Sequence, residues 1–131
     1  MENNFFLAVG FWNLIGSVFL YLMLNKTFAD KVLRKWTGII TESYDIGKYG
    51  SLWLLWAATT NTFFGVINIF AVSWEPSSKV VVIYGDVFVY AALFLPAIVV
   101  LSNENYGKGH YVNILLGIFW IVWAVYSLIK M

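Results

Sequence analysis

Cysteine is missing from this chain, which excludes disulfide frameworks, thiolate metal sites and thiol redox chemistry. Its single histidine, His110, cannot furnish the paired axial ligands of a two-haem helical bundle. Charge is scarce as well. Charged residues are 11% of the 131 and the formal net charge is +1, whereas a soluble domain carries about 25%. No broad field exists to attract nucleic acid. No Lys or Arg precedes the first apolar stretch, and Met1-Glu2-Asn3-Asn4 has neither a basic region nor a small-residue cleavage site. A secretory signal needs both, so the first stretch is expected to remain as an anchor. There is no nucleophile elbow, carboxylate pair or metal triad. No cofactor or metal is therefore expected, and no catalytic residue is assigned.

What the chain does hold is apolar sequence, 61% of all residues. It gathers into four runs, Phe5–Leu24, Leu52–Val72, Val80–Leu101 and Tyr111–Ile129. At about 1.5 Å per helical residue each reaches across a bilayer core of about 30 Å. A soluble domain of this length could not hide four such runs from water. The expected fold class is therefore all-α and integral to the membrane. It is one transmembrane domain over residues 1–131, a four-transmembrane-helix up-down bundle.

The one long connection, Asn25–Lys48, is basic. Phe28, Val32 and Trp36 recur in it at helical spacing, with Lys31, Arg34 and Lys35 between them. The pattern predicts an amphipathic cytoplasmic surface helix over residues 27–40, opened by Thr27 and Asp30 in the manner of a capping box. Lys31, Arg34, Lys35 and Trp36 are its expected contacts with anionic lipid headgroups. Pro76 is expected to separate the second and third spans, and Pro96 to kink the third. The first and third connections hold six Lys and Arg against two on the other side. The positive-inside rule then places both termini outside the cytoplasm, in a membrane of the bacterial inner (plasma) type.

Only one acidic residue, Asp86, falls inside any run. An ionisable group within a span is a functional hypothesis by default. Apolar surroundings penalise a bare charge, so this carboxyl is expected to hold a proton or to meet a cationic group. Other polar side chains fall at a similar depth on every span: Asn13 on the first, Asn61 and Asn68 on the second, Tyr90 beside Asp86 on the third, and Trp123 and Tyr126 on the fourth. Asn61, Gly65 and Asn68 share one helical stripe, as do Asp86 and Tyr90. Polar groups in hydrocarbon need partners, so these residues are expected to line an outer-leaflet cavity. The competing expectations are that Asp86 caps a helix starting at Val87 and that the asparagines only bond helix to helix.

Fluoride channels and small multidrug transporters are similar in size. This chain lacks the glycine-rich first helix and following arginine of the former. It has Asn13 in the region where the latter carry a glutamate, so it is assigned to neither. Three functions follow from the residues themselves. The first is binding or transport of a small cationic or amphipathic molecule, or a proton, at Asp86, with a homo-oligomer forming any conducting path. The second is an accessory subunit of a larger membrane complex. The third is an embedded enzyme acting on a lipid or quinone, ranked last because a second titratable group is missing from the spans.

Overall fold

The computed structural model describes residues 2–32, 47–96 and 109–131, and among them it contains helices and turns with no strand. The first helix, α1, spans Glu2–Leu22, and α2 spans Lys26–Val32. The next, α3, spans Gly47–Ala71, and α4 spans Pro76–Phe88. A π-helical turn over Val89–Phe94 extends α4. The last helix, α5, spans Gly109–Lys130. Three segments are long and apolar enough to cross a membrane, Asn3–Leu22, Gly50–Ala71 and Pro76–Phe94. In α5 the apolar stretch is shorter, Ile114–Lys130.

The boundaries depart from hydropathy where backbone bonding ignores side-chain character. The second apolar run becomes helical at Gly47, ahead of Leu52. The third starts at Pro76 rather than at Val80, because proline suits a first helical turn, where its missing N–H would have no partner. Helix α2 opens at Lys26, one residue before the start expected from the sequence. The Asn25 side chain accepts the Phe28 N–H at 3.1 Å and the Asn25 carbonyl accepts from Ala29. The cap is therefore Asn25, not Thr27; asparagine is among the strongest caps. Phe28 packs edge-on against Phe19 of α1, and Lys31 is exposed. The remainder of the expected 27–40 helix, with Arg34, Lys35 and Trp36, lies outside the described residues.

Polarity is arranged inside-out. Asn13, Ser17, Asn68, Lys79, Asp86 and Ser127 are buried, while Phe11, Ile15, Trp53, Phe63, Val81 and Val122 are exposed. In water this would be a poor exchange, since buried polar groups need compensation and exposed apolar area is unfavourable. In hydrocarbon the signs reverse, and only the polar faces need to turn inward.

The closest helix pair is α1 with α3. Gly10 and Gly65 meet at their crossing, where a Cβ on Gly10 would lie 3.0 Å from the Gly65 carbonyl oxygen. Seven residues further along α1 and seven back along α3, Ser17 donates to the Ala58 carbonyl at 2.8 Å. Small residues let membrane helices approach this closely. On the opposite side, Gly117 of α5 seats Phe94 and Leu95. The aromatic pairs Trp12–Trp120 and Phe5–Trp123 join α5 to α1. At the start of α4, Lys79 reaches Asn3 of α1, its ammonium donating to Asn3 Oδ1 at 3.0 Å.

Candidate functional site

Asp86 lies inside continuous helix, ten residues after Pro76, so it is not a helix cap. The buried stripe of α4 runs Lys79, Ile83, Asp86 and continues to Tyr90 in the π segment. These residues recur at four, three and four, one helical face. The widened turn stands directly before Pro96. That proline lacks an N–H and its ring crowds the carbonyl four residues back. The Leu95 N–H bonds to Tyr90 O, five residues back, so the chain leaves regular α bonding just where proline would oppose it.

The Asp86 carboxyl is 1% exposed. Its Oδ1 accepts from Asn68 Nδ2 of α3 at 3.0 Å, and the same amide nitrogen donates to Phe64 O at 3.0 Å. Both hydrogens of the Asn68 amide are thereby used. Asp86 Oδ2 and Asn68 Oδ1 have no partner among the described residues. One turn further along, the Tyr90 hydroxyl lies near Asn13 of α1 without closing a hydrogen bond among the described residues. Asn13 itself donates to Val9 O at 2.9 Å. The Tyr90 ring stacks on Trp120 of α5 at 6.3 Å, and Trp120 stacks on Trp123 at 5.8 Å with planes 7° apart. Trp120 Nε1 is the fourth buried polar atom without a described partner.

The structure thus brings Asp86, Asn68, Tyr90 and Asn13 together. Trp123 sits behind Trp120, half-buried. Asn61 stands apart, half-buried, with its amide 3.3 Å from where a Cβ on Gly16 would lie. Tyr126 is 42% exposed, its ring beneath the Lys130 ammonium. The polar residues pack against one another. Two surface clefts lie elsewhere, one lined by Ser73, Trp74, Glu75 and Ser78, the other by Leu55, Trp56, Thr59, Thr60 and Phe63.

Sequence reasoning missed three contributors. Trp120 reads as packing, yet a buried indole N–H wants an acceptor, and that was its signal. Lys79 reads as a turn residue, although it stands seven residues before Asp86 on the same face. Ser17 stands four residues after Asn13, a spacing that places it next on the buried stripe of α1.

Chemically the cluster offers two acceptor oxygens, on Asp86 and Asn68, and two donors, on Tyr90 and Trp120. Among the described residues no group of His, Asp and Glu could hold a metal. By class this is a helical membrane protein with a buried polar centre. The chain matches no family model, no curated protein and no solved structure.

Proposed function

We propose that α1, α3, α4 with its π extension, and α5 cross the membrane as a four-span up-down bundle with both termini outside the cytoplasm. We propose further that Asp86 takes up a proton or a small cationic group within it. One observation carries the reading: a carboxyl 1% exposed in a membrane-type helix, with one oxygen unpartnered among the described residues. An unpaired buried acceptor is expensive, by about 1–3 kcal/mol, and a proton or a cation on Oδ2 removes that penalty. The basic α2 face would rest on anionic headgroups.

Infrared difference spectra across a pH titration in lipid nanodiscs test this. The wild-type minus Asp86→Asn difference spectrum should retain a protonated-carboxyl band, since the other six Asp and Glu side chains cancel, and tetramethylammonium should displace it. The reading is lost if that difference band is missing at every pH and Asp86→Asn binds the cation as wild type does.

A further inference from the structure

Below the Asp86 cluster, the seam between α1 and α3 carries a second polar group that the binding reading leaves unused. Ser17 is 3% exposed. It donates to the Ala58 carbonyl at 2.8 Å and lies 2.6 Å from Thr62 Oγ1. Thr62 also donates to Ala58 O, at 2.9 Å. Two hydroxyls own two hydrogens, yet three contacts need one each. Either Ser17 donates to the carbonyl and Thr62 donates to Ser17, or Ser17 donates to Thr62 and Thr62 to the carbonyl. The two arrangements have the same heavy-atom positions and differ only in which way the O–H bonds point.

A pair that can invert its hydrogen bonds without moving its oxygens is what a proton relay needs, and its place in the fold is consistent. Tyr90 stands one turn further along than Asp86 and lies near Asn13. Ser17 lies one turn beyond Asn13 along α1, about 6 Å at the helical rise. Tyr21 lies one further turn along and is 3.5 Å from Thr59 of α3. Polar side chains therefore recur turn by turn from the carboxyl to the far end of α1, with hydroxyls at Tyr90, Ser17 and Tyr21 and the Asn13 amide standing between the first two. Simple helix gluing explains one Ser–Thr contact but does not require the series to begin at a buried acid.

We propose that this seam is the inward limb of a proton path that starts at Asp86 and passes through Tyr90, the Ser17–Thr62 pair, and Thr59 with Tyr21. It rests on the reading that Asp86 takes up a proton. In each step an oxygen accepts a proton on a lone pair and releases its own hydrogen to the next acceptor, so one proton enters and one leaves. Water spans the intervals between hydroxyls that do not touch, as hydronium in passing. The O–H bonds then turn back to the starting arrangement. Of the charged and titratable groups on the path, Asp86, Tyr90 and Tyr21 are in the spans, and Lys79 closes its outer end on Asn3.

Liposomes containing the full chain, loaded with pyranine and driven by a valinomycin potassium potential, provide the test. Wild type should acidify its lumen faster than protein-free vesicles. Ser17→Ala and Thr62→Val should each lower that rate about tenfold, the scale of one lost hydrogen-bonded step, while the Asp86 infrared band persists. Thr62→Ser, which restores the hydroxyl, should recover the flux lost in Thr62→Val. Should Ser17→Ala fail to fold, the near-isosteric Thr62→Val decides alone. The path is overturned if the Asp86 band titrates but wild type conducts no better than empty vesicles, or if the hydroxyl-free variants conduct as wild type. Absence of the band overturns the uptake reading itself, and the path with it.

Discussion

Replacing Gly65 by valine should weaken the folded protein by about 3 kcal/mol, the upper part of the range for overpacking. The cause is local and double. A Cβ at this position would lie 2.8 Å from Leu14 Cγ and 3.0 Å from the Gly10 carbonyl oxygen. The leucine can rotate away, but the carbonyl belongs to the backbone of α1 and moves only if the helices part. Parting them lengthens the Ser17 to Ala58 bond seven residues away. Opposing this, a better helix former than glycine gains at most about 1 kcal/mol, so the clash wins. Gly65→Ala should show a smaller loss of the same sign. The measurement is the unfolding midpoint in mild detergent followed by tryptophan emission. An unshifted midpoint for Gly65→Val would mean that the two helices do not cross here.

The second large effect concerns the Asn68–Asp86 pair. Asn68→Leu removes the only hydrogen-bond donor that the described residues give Asp86. It leaves a carboxyl that is 1% exposed with neither oxygen satisfied. Stability should fall by about 2–3 kcal/mol, the penalty for stranding a buried polar group. Adding Asp86→Leu should return most of that loss, because two leucines strand nothing and hydrocarbon packing replaces the bond. The signature is therefore non-additivity: the double variant should be more stable than Asn68→Leu alone. If the two single losses merely sum, the residues are uncoupled and the 3.0 Å contact contributes nothing measurable. The cycle is read in detergent or nanodiscs, since the calculation assumes that both sites remain away from water.

Much of this arrangement was legible in the residues. Three of the helices are apparent from run length alone, and the pairing of Asn68 with Asp86 follows from the need of polar groups in hydrocarbon to find each other. Rotation about each helix was less legible. In α5 the inward stripe is Gly117, Trp120, Ala124 and Ser127, spaced three, four and three. Tyr126 sits one residue, about 100°, from Ser127 and so turns outward. Aromatic residues on every side of α5 gave no contrast from which to read that rotation. Relative height was legible for this pair, since counting residues from the ends of the runs sets Asn68 and Asp86 at a similar depth; Asn68 is near the end of α3 and Asp86 ten residues into α4, an offset set by the 72–75 turn. The Lys79–Asn3 bond depends on the same offset, and a lysine three residues after a proline otherwise reads as loop. The Ser17–Thr62 contact depends on a helix separation that no single-chain pattern encodes.

The near-parallel stack of Trp120 on Trp123, with Tyr90 also stacked on Trp120, gives this protein a built-in optical probe. Two indoles 5.8 Å apart couple their excited states, and the sign and size of the resulting near-ultraviolet dichroism depend on their mutual angle. A carboxylate on the neighbouring helix adds an electric field that shifts those transitions when its charge changes. The change of charge proposed for Asp86 should therefore register in the chain's own absorption, where it can be followed in lipid without attaching a dye.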